Sequence, residues 1–590
     1  MYKVFNNIFE IGHFPDIFKI GHITALYKNS GLKSNKENYR GIYLLPTLSK
    51  IAESVIHSRL LGHVITNNVI SERQAAYLKG DSTTQQLLYI NHLIKSAWTK
   101  GCITQACFLD VSAAFDKCWV NGILAKLEQI KVEGSCFNLL NSYLTNRKIC
   151  TVIDGCKSDI VEITAGVPQG SRLGPLLWII FINDIQDYLE SEVLLFADDT
   201  CLFSSDIDPA LTSQVLNRDL EKISLWAKKW KVIFNAGKSK DLIFSKNKYL
   251  FNSPPLLLND KYISRVHQHR HLWLSANLDW EKQIQTCCLK ANGKLAVLRS
   301  VKFLDRATLD LLYKLTIRSV LEYALVVYYN SLTQNQQLRL SQVQYRAARL
   351  VTGALYLTSQ VKLENDLSWE PLSKRVEFLS ISIFHKICHN VTRPLIRKCM
   401  PILNSTNYNT RTPSHFVPFK QKSQCFSKTF FPHTTNLYNK LEQGLRNNHD
   451  LTDFKFKLKE KYKGTKVKHY CRGISKFSNS LHTQLRLGRS FLAAHGFAIG
   501  LNDSDLCLCW RPETTKHYFL ECFLFQEERH ELFKKLSQIL PKFLSSNKKS
   551  QLETILFGIN IENIDPDPRN IQIVFAVQKY ILDTKRMFER

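Results

Sequence analysis

The chain has 590 residues, 44% of them apolar and 22% charged. That composition is globular rather than disordered and long enough for three or four domains. Lysine and arginine number 79 against 51 aspartates and glutamates, a net charge of +28, which favours a polyanionic partner, most often nucleic acid, although a membrane-surface role gives the same number. The best apolar run, Leu173 to Ile182, is too short to span a bilayer. The N-terminus lacks the basic, apolar and small-residue pattern of a secretory signal. Sixteen cysteines scattered through such a chain read as reduced thiols.

The first 280 residues alternate short apolar strands with helical stretches. One strand, Ala106-Cys107-Phe108-Leu109-Asp110-Val111, ends in an aspartate, and a helix is predicted from about Asn121 to Lys131. Val193 to Phe203 reads as a hairpin with Asp198 and Asp199 at its tip. Aspartate is a common turn residue, so this pair alone says little. Together with Asp110 it makes three carboxylates on adjoining strand ends, a hard-oxygen site suited to Mg²⁺. Two such ions roughly 3.5–4 Å apart clamp the attacking and leaving oxygens of a phosphoryl transfer. Without a cation the three charges repel and push their pKa values upward.

Residues 281–400 are predicted to be mostly helical. Ile284, Cys288, Ala291, Leu295 and Leu298 form one helical face, and Leu340, Val343, Ala347, Leu350 and Val351 another, with Gly353 as the stop. Arg339, Arg346 and Arg349 lie on the other sides of the second helix, as a solvated face or as a phosphate-tracking one. Residues 411–480 hold 15 Lys/Arg against 4 Asp/Glu. There Lys455, Lys457, Lys459, Lys461, Lys463, Lys466 and Lys468 alternate with Phe454, Phe456 and Tyr462. Such a stretch suits single-stranded nucleic acid, or is a solvated linker or surface helix. Further on, Cys507, Cys509, His517 and Cys522 give C-x-C-x7-H-x4-C. This is either a Zn²⁺ site or a packed cluster of reduced thiols.

Several of these motifs resemble those of one family. Phe196-Ala197-Asp198-Asp199 is similar to the F/Y-x-D-D motif of reverse transcriptases, and Phe108 to Asp116 to their first catalytic motif. Gly166-Val167-Pro168-Gln169-Gly170-Ser171-Arg172-Leu173-Gly174-Pro175-Leu176-Leu177 resembles the G-V-P-Q-G-S-x-L-G-P-L-L block of non-LTR retrotransposons. Asn38-Tyr39-Arg40-Gly41-Ile42, Ser49-Lys50-Ile51-Ala52-Glu53, Trp226, Trp230, Phe234-Asn235 and Lys238 extend the likeness. So do Leu321-Glu322-Tyr323, Gln344 to Gly353, Pro432, Asn439 and Leu441. The chain thus resembles a jockey-like non-LTR (LINE-type) reverse transcriptase over nearly its whole length. It departs from the pattern at Gly41, Tyr43 and Arg172, and at Trp273, which follows His271-Leu272 where the family has a glycine.

The resemblance implies an α+β right-hand polymerase that extends a primer 3′-OH with dNTPs on an RNA template by a two-metal mechanism. A catalytically decayed nucleic-acid-binding remnant is the alternative. The implied domains are fingers and palm over 1–278, a helical thumb over 279–400, a basic connector over 401–480 and a small terminal module with a zinc knuckle over 481–590. Asp110, Asp198 and Asp199 would be catalytic and, with the Val111 carbonyl, bind two Mg²⁺ ions. Lys28 and Arg40 would hold the triphosphate, and Gln169 and Gly170 pack near the incoming base. Phe115 would crowd a ribose 2′-OH, or is simply a core phenylalanine. Lys238 would protonate departing pyrophosphate, or is a surface lysine in a turn. Cys507, Cys509, His517 and Cys522 are the candidate zinc ligands. RNA template, DNA primer or target and dNTPs are the implied partners, with no membrane. Location would be intracellular, in nucleus and cytoplasm as a ribonucleoprotein. Because jockey-type elements usually place an endonuclease ahead of the polymerase, an N-terminally truncated element protein without its own nicking activity is expected.

Overall fold

The computed structural model describes residues 2–29, 31–246, 253–269, 274–392, 394–403, 415–420, 423–462, 474–559 and 567–588. They fall into two compact units, residues 1–279 with 386–435, and residues 280–385 with 436–590. The His271-Leu272-Trp273 segment and Lys463, Lys466 and Lys468 lie outside the described residues. No helix among the described residues is long and apolar enough to cross a membrane.

The first unit begins with antiparallel strands β1 (Ile20–Tyr27) and β2 (Tyr39–Leu44), which place Arg40 opposite Leu26. Helices α1 (Thr47–Thr66) and α2 (Thr83–Thr99) follow; the Ser82 side chain caps α2 by accepting the Gln85 N–H. Strand β3 (Ile103–Leu109) is buried at every position, as a central strand must be, and leads through Asp110 to α3 (Val120–Gln129). Strand β4 (Arg147–Ile153) returns to pair in parallel with β1 and completes the centre of a first sheet.

Helix α4 (Gly174–Ile182) carries the apolar run singled out above. Eight of its nine residues are buried, so it is a core helix, with no polar face to show solvent. Pro175 sits in its first turn, where a missing N–H costs nothing. Trp178 and Phe181 join Leu176, Leu177, Ile179 and Ile180 in the main hydrophobic cluster. Each such side chain contributes about 1.5–3 kcal/mol on burial.

Strands β5 (Glu192–Phe196) and β6 (Asp199–Asp206) form the expected hairpin. Helix α5 (Pro209–Trp230) packs on β6 and β3; Asp208 caps its start and Lys231 ends it in a left-handed conformation. Then β7 (Lys240–Phe244) and the short β8 (Ser264–Arg265) complete a second sheet in the order β8-β7-β3-β6-β5. Within it β3 is antiparallel to both β6 and β7, with Leu109 opposite Thr200 and Phe108 opposite Lys240. This register brings the end of β3 beside the β5–β6 turn.

The second unit is helical. Helix α6 (Glu281–Ser300) buries Ile284, Cys287, Ala291, Leu295 and Leu298. The expected face therefore holds except that Cys287, not Cys288, points inward. Helix α7 (Gln334–Thr352) buries Leu340, Val343, Ala347, Ala348 and Val351, with Leu350 half-exposed. It starts at a Thr333/Gln336 capping box and stops at Gly353, whose φ is +69°. A Cβ there would also lie 2.0 Å from the Ser480 hydroxyl. Two of its three arginines are engaged, Arg339 with Glu281 and Arg349 over the rings of Tyr345 and Tyr356.

Helices α8 (Gln360–Leu367), α9 (Leu451–Tyr462), α10 (Lys476–Leu487), α11 (Gln526–Ile539), α12 (Lys548–Phe557) and α13 (Arg569–Asp583) are among the others in this unit. Helix α9 buries Phe454 and Leu458 and leaves Phe456 63% exposed beside its lysines. A buried ion triad, Asp366 with Arg306 at 2.6 Å and Arg486 at 3.2 Å, ties α8 to α10.

Candidate active site

Asp110 follows the last residue of β3, and its backbone is held on both sides. Its N–H donates to the Ser239 hydroxyl at 3.2 Å, and its carbonyl accepts the Asn235 N–H at 2.9 Å. Val111 bridges to Phe234. The Phe234-Asn235 and Lys238 stretch is thus a strap beside the first aspartate; Asn235 in turn accepts the Lys238 N–H on its side-chain oxygen at 3.2 Å. Asp198 lies in the two-residue turn between Phe196 and Asp199, which pair as the last rungs of the hairpin.

The three carboxylates feel one another. Burial raises the Asp110 pKa and the Asp198 charge adds to it, while Lys238 opposes. Asp199 is pushed up to about 6, by desolvation first and then by the charges of Asp198 and Asp110. One Asp110 carboxylate oxygen, Oδ2, is buried with no hydrogen-bond partner among the described residues. An orphaned buried carboxylate oxygen facing like charges is a donor awaiting a cation, and an all-oxygen set suits a hard divalent ion. The residues present therefore fit Mg²⁺.

Around this group runs an open cleft of about 880 Å³, lined by Lys28, Arg40, Phe115, Gln169, Gly170, Asp198 and Lys238. The structure thus gathers every sequence-predicted nucleotide contact in one place. Asp110 and Asp199 line a smaller adjoining cavity of about 80 Å³, and Lys238 borders both. Lys28 and Arg40 are exposed on the β1–β2 hairpin, with the Lys28 ammonium on the Glu37 carbonyl at 2.8 Å. The half-buried ring of Phe115 leans on Trp178 at 5.9 Å. Gly170 has φ +102°, and a Cβ there would lie 3.0 Å from the Tyr43 carbonyl. Gln169 is tied by its carbonyl to the Tyr43 N–H at 3.0 Å.

Three residues without an assigned role in the sequence reading bear on the site. Asp116 accepts both contacts of the Gln169 amide, at 3.0 and 2.9 Å, and faces Arg40 and Lys28. Its place directly after Phe115 was the available signal. Glu53 is fully buried and accepts the Arg172 N–H at 2.7 Å, which anchors the glycine-rich loop to α1. Burial raises its pKa. Gln74, also fully buried, accepts the Ala197 N–H at 3.1 Å. Nothing in the polar stretch around it sets it apart in sequence.

A second ligand group lies in the helical unit. Donor atoms of Cys507, Cys509, His517 and Cys522 all fall within 4.8 Å of one another, and it is the group of that closeness found among the described residues. Cys509 Sγ is 3.0 Å from His517 Nε2, and the Cys507 and Cys522 sulfurs are 3.7 Å apart. The C-x-C pair is brought together by a tight turn, in which the Trp510 N–H donates to the Cys507 carbonyl and Trp510 takes φ +62°. His517 opens a single helical turn that ends at Cys522. Burial pushes the Cys507 thiol up to about 12. Three sulfurs and one imidazole nitrogen converging in this way fit a structural Zn²⁺.

Residues 28–283 match the family model for "Reverse transcriptase (RNA-dependent DNA polymerase)". The RNA-directed DNA polymerase from mobile element jockey of Drosophila funebris is 28% identical over 391 residues, covering 63% of this chain and 42% of that protein. A probable RNA-directed DNA polymerase from transposon X-element of Drosophila melanogaster is 26% identical over 375 residues, 62% of this chain and 41% of that one. The chain thus spans well under half the length of these relatives. Among solved structures, apo telomerase from Candida Tropicalis aligns with a TM-score of 0.36 and 11% identity over 65% of this chain and 63% of its own. Residues 28–283 are a reverse transcriptase domain, homologous to the polymerases of jockey and other non-LTR mobile elements.

Proposed function

We propose that the chain is an active RNA-directed DNA polymerase that extends a primer 3′-OH with deoxynucleotides, the step known in such elements as target-primed reverse transcription. The observation that carries this reading is the meeting of Asp110, Asp198 and Asp199 with Lys238 at a cleft that Lys28 and Arg40 also line. Asp110, Asp198, Asp199 and the Val111 carbonyl would hold the two divalent ions. Bound there, Mg²⁺ supplies charge neutralisation and Lewis-acid polarisation of the phosphoryl oxygens.

The chain's own residues do the rest by positioning. Arg40 grips phosphate bidentately and Lys28 adds a point charge. Phe115, backed by Trp178, fills the space a ribose 2′-OH would need. Gly170 lets the loop backbone approach the base without a side chain. Lys238 stands near enough to the carboxylates to deliver a proton to the leaving pyrophosphate. Partners in this reading are an RNA template, a DNA primer and dNTPs, handled inside the cell as a ribonucleoprotein. The helices after residue 279 act as thumb, the lysine-rich stretch as connector, and the Cys/His group binds Zn²⁺ to brace the terminal module.

The test is primer extension on an RNA template with Mg²⁺ and dNTPs, run beside Asp198→Asn. The wild type should extend, and the variant should lose at least about 10²-fold in rate while binding template–primer as before. No extension by folded wild-type protein would favour a decayed remnant instead.

A further inference from the structure

We infer that Gln74 is a positioning residue for the Asp198 carboxylate, acting through the backbone of the β5–β6 turn; the inference rests on the polymerase reading of that turn. Strand β5 is the last of its sheet. A bare edge would leave the catalytic hairpin free to shift against β3, which carries Asp110 two strands away. Among the described residues, the segment around Gln74 pairs with that edge. Gln74 bridges in parallel to Leu195, with the Ala75 N–H on the Leu195 carbonyl and the Leu195 N–H on the Arg73 carbonyl, both at 3.0 Å. Gln86 from α2 adds its amide N–H to the same Leu195 carbonyl at 2.7 Å.

Beyond Phe196 the backbone must reverse within two residues. It does so with Ala197 at φ +58°, a left-handed conformation that a residue with a Cβ resists. Such a conformation persists where surrounding contacts over-determine it. The contact here is the Gln74 side chain. Its Oε1 takes the Ala197 N–H at 3.1 Å and the Ala76 N–H at 3.0 Å. Two converging N–H donors fix which end of the amide is oxygen. Gln74 is fully buried, so water cannot substitute for it. The other end, Nε2, is buried with no partner among the described residues. An amide that leaves its own donor unpaired is poorly explained as a stabilising fastener. Asp198 is the next residue after the one Gln74 holds, so rotation at Ala197 would swing its carboxylate away from Asp110.

The experiment uses the full chain bound to template–primer and reads Mn²⁺ affinity by electron paramagnetic resonance, together with kcat, KM and the melting temperature. Gln74→Met keeps size and removes the acceptor. It should weaken Mn²⁺ binding and lower kcat by about 10–100-fold, the range for loss of a residue that orients ligands, with KM for dNTP within about twofold. Gln74→Glu keeps an acceptor, and its Mn²⁺ affinity should be at least that of the wild type. Gln74→Met with Ala197→Gly should recover a large part of the loss, because glycine adopts the left-handed turn unaided. Unchanged Mn²⁺ affinity in Gln74→Met, or an altered melting temperature and KM with no change in Mn²⁺ affinity, would overturn the inference. So would failure of the glycine to rescue, or weakened Mn²⁺ binding in Gln74→Glu should Gln74→Met not fold. If the wild type binds Mn²⁺ but does not polymerise, the polymerase reading falls, and the Mn²⁺ arm still decides the role of Gln74.

Discussion

Phe115 draws its rigidity from Trp178, itself packed against Phe181 in the apolar core. In the proposed polymerase, discrimination against ribonucleotides would therefore depend on a ring that cannot easily move aside. Phe115→Val should raise the rate of rNTP incorporation relative to dNTP by on the order of 10–200-fold, the value of a few methylenes in a close-fitting pocket. Competition assays with matched rNTP and dNTP measure it; an unchanged ratio would return Phe115 to a plain core role. A second residue of consequence is Asp366. Burial opposes its charge, but the Arg306 and Arg486 guanidiniums outweigh that and hold the carboxyl below its ordinary range. A depressed carboxylate pKa stabilises the fold above the unfolded value near 4, and that stabilisation is lost as pH falls through the folded value. Asp366→Asn should cost about 3–5 kcal/mol at pH 7 by leaving two buried cations. It should also flatten the loss of stability on acidification. Hydrogen exchange in α8 and α10 checks both. The acids of the site were legible in sequence because Asp110 ends one apolar strand and Asp198-Asp199 join two others, within motifs that resemble those of reverse transcriptases. Gln74 and Glu53 were not, since an amide or carboxyl becomes a support only when folding delivers a backbone N–H from far along the chain.

At the scale of elements, hydrophobic spacing located α6, α7 and the β5–β6 hairpin but not which of two adjacent residues would face inward. Cys287 and Ala348 took buried places because both helices pack on more than one neighbour, which widens the buried stripe beyond a single face. The spacing of the Cys/His group left a Zn²⁺ site and a packed thiol cluster both open; the fold adds the convergence of the four donor atoms, through a tight turn with Trp510 left-handed. Zinc at this group should be stoichiometric, one ion per chain by elemental analysis. Cys522→Ser should cut zinc affinity by at least about tenfold and expose 500–525 to proteolysis, because a closed four-ligand site contributes directly to local folding. Equal protease resistance with and without chelator would instead make the group a packed thiol cluster.

For the whole molecule, a net charge of +28 with exposed lysines on α9 and on the β1–β2 hairpin would make the proposed binding to nucleic acid strongly electrostatic. The affinity for single-stranded RNA should fall with log salt at a slope of about −3.5 or steeper, that of five or more neutralised phosphates. Fluorescence anisotropy across a salt series reads it, and a shallow slope would argue that the charge serves solubility. In the proposed polymerase Asp110, brought beside Asp198 and Asp199 by β3–β6 pairing, performs templated chemistry. Sequencing the product made on a defined RNA template, with wild type and Asp110→Asn in parallel, decides this. The expected result is DNA complementary to the template from the wild type alone. A complementary product made equally well by Asp110→Asn, or none from folded, template-bound wild type, would contradict it.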